Sequence, residues 1–148
     1  MKISRKRYKA YEYIRDNKEI TEEMSNTKNL ISKLIKNDKQ TEKYCNKKIL
    51  EEKKEVEEAI LGNHYHEKMT KREILVNEIS QYIYWQTLLA VSKKNKYEEF
   101  DEEGKIAEIL SRIDITKIGE TKPITVDEVV IHDLEQMSKK KYLKKAVE

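Results

Sequence analysis

The chain has 148 residues, of which 40% are charged, whereas an average globular domain has about 25%. It contains three glycines and one proline, which are too few for the many tight turns of an all-β sandwich or barrel. Length and composition therefore predict a single domain, residues 1–148, that is built from long α-helices.

We expect a cytoplasmic protein without a membrane segment. The longest uninterrupted apolar run spans residues 88–91, far short of the ~20 residues that cross a bilayer. The basic amino-terminal stretch lacks the apolar segment of a signal peptide. The single cysteine, Cys45, cannot form an internal disulfide, and its place on an apolar helix face predicts an inert core residue.

Apolar residues recur at helical spacing along most of the chain. Six helical segments are predicted: 4–17, 22–37, 41–61, 70–92, 105–112 and 125–142. The segment 70–92 is apolar nearly all round, which is typical of the buried central helix of a bundle. The fold prediction is all-α, a four- to six-helix bundle with a basic amino-terminal helix (4–17) and a carboxy-terminal extension (101–148).

Capping residues support several of these boundaries. Thr70 with Glu73 and Thr125 with Glu128 have the spacing of a capping box, in which a threonine and a glutamate satisfy the first free N–H groups of a helix. Gly62 stands where a glycine commonly ends a helix. The segments 70–92 and 125–142 are therefore expected to begin at their threonines, and 41–61 to end at Gly62.

Charge is distributed unevenly along the chain. Residues 1–15 carry a net charge of +5 and residues 139–148 carry +4, although the whole chain carries only +3, so the middle is acidic. Basic ends with Tyr8, Tyr11 and Tyr13 could bind phosphates and stack bases of a nucleic acid. The same pattern is explained by termini that are simply solvated and by tyrosines that pack on a neighbouring helix. We favour this explanation, so nucleic acid is not the expected partner.

Two carboxylates fall on apolar helix faces. On the 41–61 helix, Cys45, Ile49, Val56 and Ile60 form a stripe with one gap, and Glu52 fills that gap, about 20° from Cys45 at roughly 100° per residue. The 70–92 helix repeats the anomaly. Its apolar face contains Glu78, with Gln81 beside it, among the residues Ile74, Tyr82, Trp85, Leu88 and Leu89.

Burying an unpaired carboxylate costs several kcal/mol, so such groups are normally paired, protonated or bound to a metal. Acidic groups that point inward from two packed helices can form an oxygen-lined site for Mg²⁺ or Mn²⁺. Alternatively, Glu52 could reach Lys48, and Glu78 could pair with a basic side chain of a neighbouring helix. The spacing leaves both interpretations open.

The same residues resemble a known family. Residues 47–56 read KKILEEKKEV, and residues 78–81, which begin 22 positions after Val56, read EISQ. This pattern resembles the all-α nucleotide pyrophosphohydrolases of the MazG and phosphoribosyl-ATP pyrophosphatase group, whose signature is Glu-Glu-x-x-Glu on one helix and Glu-x-x-Asp on the next. The resemblance covers roughly residues 24–100.

The resemblance implies an Mg²⁺-dependent (or Mn²⁺-dependent) enzyme that cleaves a nucleoside triphosphate or phosphoribosyl-ATP to the monophosphate and pyrophosphate. It implies Glu52, Glu55 and Glu78 as catalytic residues. Carried over position by position, the metal ligands are Glu51, Glu52, Glu55, Glu78 and Gln81. Lys47 and Lys48, which flank the acidic motif, are candidate contacts to substrate phosphate. The thin core of one chain, together with the shared sites of this family, favours a homo-oligomer, either a dimer or a tetramer.

The sequence departs from the family pattern at several positions. Gln81 stands where the family has an aspartate, and a neutral amide is expected to weaken cation affinity and water activation. Leu50 replaces a common glycine, and Trp85 replaces a histidine of the phosphoribosyl-ATP branch. The alternative function is therefore a non-catalytic helical module that binds a nucleotide or a partner, with nucleic-acid binding through the basic termini as its less favoured form.

The three histidines are weaker candidates. His64 and His66 lie between the two acidic helices in a His-x-His arrangement that can bind a transition metal, although polar loop residues are commoner. His132 lies on the last helix with no nucleophile placed beside it, so a structural role is expected.

Overall fold

The computed structural model describes residues 2–17, 39–63, 67–140 and 143–147. Within these ranges the chain forms helices and no β-strand, which confirms the predicted all-α class. The helices are α1 (Ile3–Asp16), α2 (Lys39–Ile60), α3 (Lys71–Ser92), α4 (Tyr97–Phe100), α5 (Glu102–Leu110), α6 (Val126–Ser138) and α7 (Lys144–Val147). The predicted helix 22–37 lies outside the described residues, as do His64 and His66.

Each threonine caps its helix as the spacing predicts, but the Glu128 carboxylate binds Arg72 instead of completing a capping box. Thr70 Oγ1 accepts a hydrogen bond from the Glu73 backbone N–H at 3.1 Å, and Thr125 Oγ1 accepts one from Glu128 at 3.1 Å. The Glu73 side chain accepts a further hydrogen bond from the Thr70 hydroxyl at 3.2 Å. Gly62 follows the end of α2 with a φ of +78°, a left-handed conformation in which glycine carries no steric penalty.

The apolar helix α3 lies at the centre of the packing. Its main neighbour is α2, and it also contacts α1, α5 and α6. Residues on several sides of α3 are buried, among them Ile74, Ile79, Ile83 and Leu88, as the nearly continuous apolar sequence predicts. None of the helices that the described residues form has the length and apolar character that crossing a bilayer requires.

A buried ionic network attaches α1 to the rest of the molecule. Arg7 is only 1% exposed; its Nε donates to Asp133 at 2.6 Å and one terminal nitrogen donates to Thr87 at 2.8 Å. The guanidinium also pairs with Glu102, and the Tyr11 hydroxyl donates to Asp133 at 2.8 Å. These contacts join α1, α3, α5 and α6 and fix the position of α6 relative to α3.

The tyrosine face of α1 packs inward. Tyr8, Tyr11 and Ile14 are at most 2% exposed and belong to one apolar cluster with Cys45, whose burial raises the pKa of its thiol to about 11. The predicted apolar stripe of this helix and the buried position of Cys45 are thus confirmed. Tyr8 and Tyr11 are inaccessible to a nucleic acid, whereas Tyr13 is 43% exposed.

Candidate metal centre

Three glutamates meet between α2 and α3. Glu52 and Glu55 lie one turn apart on α2, and Glu78 extends from α3, where it is 6% exposed. One carboxylate oxygen from each of the three lies within 4.8 Å of the others. The two carboxylates that interrupt apolar stripes therefore face a common point, together with the last glutamate of the first motif.

Two members of this cluster, Glu52 and Glu78, hold their protons more tightly than isolated glutamates do. The pKa of Glu52 rises to about 7, chiefly because burial disfavours its charged form, and further because of the negative charges of Glu55 and Glu78. Burial also raises the pKa of Glu78 to about 7, with additional contributions from its hydrogen bond and charge interaction with Glu55. Near neutral pH the three carboxyl groups repel one another when all are ionised, so a cation among them would be stabilising.

The donor set fits a hard divalent cation. Carboxylate oxygens are the ligands that Mg²⁺ and Mn²⁺ prefer. Glu52 Oε2 is buried and has no hydrogen-bond partner within the described part of the chain, as expected for an atom that is placed to ligate an ion. The sequence left open a pairing of Lys48 with Glu52, but Lys48 forms its ion pair with Glu51, at 3.2 Å.

The other predicted ligands lie at the edge of the cluster or outside it. Glu51 is exposed and bound to Lys48, and it is not among the three converging carboxylates. Gln81 is exposed and lines a cavity that also includes Glu52. Lys47 is exposed, and the Lys48 ammonium lies 5.7 Å from the centre of the Tyr44 ring, so phosphate binding by these two lysines stays a prediction.

The cavity beside Glu52 has a volume of about 400 Å³ and is lined mainly by residues of α3 and α6. On α3 it includes Asn77, whose side-chain oxygen lies within hydrogen-bond distance, 3.2 Å, of His132 Nε2. His132 thus contacts α3 through Asn77, and its structural role stays a prediction. Sequence reasoning missed the residues Gln136 and Lys140 of this cavity, at and just beyond the end of α6, because no local pattern reveals which distant helix faces Glu52.

Comparisons of the chain with protein-family models, with curated proteins and with solved structures found no match. The described residues define an all-helical protein with a three-carboxylate cluster between two of its helices. The family resemblance therefore depends on the two acidic motifs.

Proposed function

We propose that this chain is an Mg²⁺-dependent nucleotide pyrophosphohydrolase of the all-α type, which cleaves a nucleotide between its α and β phosphates. The observation that carries the proposal is the convergence of Glu52, Glu55 and Glu78 from two helices. Mg²⁺ is the proposed cofactor, and Mn²⁺ is its substitute, because both prefer oxygen ligands.

The chain's residues have the properties that this hydrolysis needs. A bound divalent cation offsets phosphate charge and orients the pyrophosphate leaving group. Glu52, Glu55 and Glu78 would hold it. A carboxylate oxygen of these glutamates that does not ligate the ion would accept the proton that the attacking water gives up. The water oxygen would bond to the α phosphorus as the bond from that phosphorus to the bridging oxygen breaks.

The first test measures pyrophosphate release by the full chain from ribo- and deoxyribonucleoside triphosphates and from phosphoribosyl-ATP. We expect release that requires Mg²⁺ or Mn²⁺ and stops when EDTA is added. Mn²⁺ binding is measured in parallel by electron paramagnetic resonance, which needs no substrate. Background release from every nucleotide, together with no saturable Mn²⁺ binding, would overturn the proposal.

Gln81→Asp is expected to increase metal affinity and pyrophosphate release, by about tenfold or more, because it adds a negative charge to the Glu52 side of the cluster. Gln86→Asp is the matched control, since Gln86 also lies on α3 but lines a different cavity. Equal Mn²⁺ affinity in wild type and Gln81→Asp would show that position 81 does not face the ion.

The neutral Gln81 favours a second candidate, a relative that binds nucleotide without hydrolysing it. This alternative predicts that a nucleotide with Mg²⁺ raises the melting temperature while no pyrophosphate appears. The two functions are distinguished by incubating a stoichiometric nucleotide for hours and separating the products by chromatography.

Assembly into a dimer or tetramer is part of the proposal. Leu50 on α2 is 70% exposed and Leu61, just beyond its end, is 74% exposed, and a second copy of the chain would cover such side chains. Sedimentation equilibrium measures the assembly state directly. A monomer at all concentrations would contradict this part of the proposal alone.

A further inference from the structure

We propose that the cavity between α3 and α6 binds the base and sugar of a nucleoside triphosphate, an inference that rests on the proposed function. Because Glu52 belongs to both the cavity and the carboxylate cluster, a ligand in the cavity places its phosphates next to the cluster. Its volume of about 400 Å³ is within the ~300–1,000 Å³ range of small-molecule pockets.

Aromatic side chains line the cavity. Trp85 lines it, and its ring is held by an edge contact with Tyr84, at 5.1 Å between ring centres, and by a tilted contact with Tyr44 at 5.9 Å. Met137 of α6 contributes apolar surface from the facing helix. An aromatic ring that the protein already holds in place can stack a planar base, which is worth ~1–3 kcal/mol per base.

Three carboxamides supply the polar groups that a base edge requires. Asn77 and Gln81 lie on α3, and Gln136 lies on α6. Within the described ranges, neither Gln81 nor Gln136 has a side-chain hydrogen bond to another protein group. Each carboxamide carries both a donor and an acceptor, so these side chains match the mixed edge of a nucleobase.

The charges of the cavity distinguish between the two proposed substrate classes. Asp133 lines it, but its carboxylate is engaged by Arg7 and Tyr11, at 2.6 and 2.8 Å. Lys140 is the one basic residue among the described residues that line it. Phosphoribosyl-ATP carries an additional phosphoribosyl group on its base, and the described lining, with Lys140 next to the carboxylate of Glu52, is poorly suited to a second phosphate. The described lining therefore favours the nucleoside triphosphate as the substrate class.

Trp85 is the only tryptophan of the chain, so its fluorescence reports on this cavity. The test titrates the full chain, in EDTA, with adenosine, guanosine, cytidine and uridine, and with ribose as the control. N-acetyltryptophanamide corrects for light that the bases absorb. We expect a saturable fluorescence change with at least one nucleoside and none with ribose. No saturable change with any nucleoside, or an equal change with ribose, would overturn the proposal.

Gln136→Ala is expected to weaken the binding of that nucleoside about fivefold, the loss of one hydrogen bond to a ligand. Gln86→Ala is the matched control and should leave affinity within about twofold, because Gln86 binds Tyr82 and lines another cavity. Circular dichroism verifies that both variants fold. Equal affinities in wild type and Gln136→Ala would remove Gln136 from the site and contradict the proposed contact.

These experiments distinguish nucleoside binding in the cavity from the proposed hydrolase activity. Nucleoside binding without any pyrophosphate release would support the cavity assignment and contradict the hydrolase. Metal-dependent pyrophosphate release at equal rates from all nucleoside triphosphates and from ribose 5-triphosphate, with unchanged Trp85 fluorescence, would support the hydrolase and overturn the cavity assignment.

Discussion

Replacing Arg7 with methionine is expected to destabilise the protein by about 3–5 kcal/mol, the largest stability effect that we predict. The substitution keeps the long apolar stem but removes the guanidinium that pairs with Asp133 and Glu102. Both carboxylates are buried, and Glu102 is 1% exposed, so their charges would lose their compensation where water cannot replace it. Urea unfolding followed by circular dichroism measures the change.

Arg5→Met is the matched control on the same helix. Arg5 pairs with Glu98 at 2.5 Å, but both side chains are exposed, and surface pairs of this kind contribute little to stability. A cost for Arg7→Met as small as that of Arg5→Met would mean that the network does not form. If the Arg7→Met protein alone is insoluble, that result would also agree with the prediction. Limited proteolysis of whole-cell extracts would then detect the loss of folded protein.

Glu78→Gln is expected to reduce Mn²⁺ affinity and metal-dependent pyrophosphate release about a hundredfold or more. Substituting residues that only orient metal ligands lowers metal affinity or activity roughly 10–100-fold. Glu78 is itself the ligand that α3 would supply, so a larger loss is expected. Glu58→Gln is the matched control, because Glu58 lies on α2 outside the cluster. Equal Mn²⁺ affinities in wild type and Glu78→Gln would rule out a metal site at the cluster.

The same variant should be more stable than wild type when metal is absent at high pH. The pKa of Glu78 in the folded protein is about 7, above its ordinary value of 4.5, so between these values the folded state binds more protons than the unfolded state. Stability is therefore expected to fall as pH rises from about 4.5 through 7. The glutamine side chain of the variant carries no charge, so the variant should lose less stability over this range.

Thermal melts in EDTA at pH 5 and pH 8 measure this difference. At pH 8 we expect the free energy of unfolding of Glu78→Gln to exceed that of wild type by on the order of 1 kcal/mol, because the substitution removes one of three mutually repelling charges. Saturating Mn²⁺ should reverse the order by stabilising wild type selectively. An equal change in stability between pH 5 and pH 8 for wild type and Glu78→Gln would contradict the raised pKa of Glu78.

Features set by local spacing were predictable from the sequence. Thr70 and Gly62 mark the ends of helices because capping involves residues three or four positions apart. Glu52 and Glu78 were identifiable because each interrupts a periodic apolar face. Glu51 differs from Glu52 by one position, which rotates its side chain by about 100° and brings it to Lys48 on the surface.

Features that depend on distant contacts were not predictable. In the sequence, Arg7 is one of several basic residues near the amino terminus. Its partner Asp133 is 126 residues away, and no periodic pattern links the two positions. Similarly, nothing in the sequence distinguishes Gln136 and Lys140 from the other polar residues near the end of the chain. Their place beside Glu52 follows from the docking of α6 on α3, which Arg7 and Asp133 stabilise.

Because the pKa values of Glu52 and Glu78 are raised, a divalent cation that bound at the proposed site would displace protons from the cluster. At pH 6.5 roughly one to two protons would pass to the buffer for each ion bound. Calorimetric heats of Mn²⁺ uptake should therefore change with the buffer's own ionisation enthalpy, and the slope of that relation counts the protons released. Acidification of the surrounding solution would, by the same coupling, favour release of the ion.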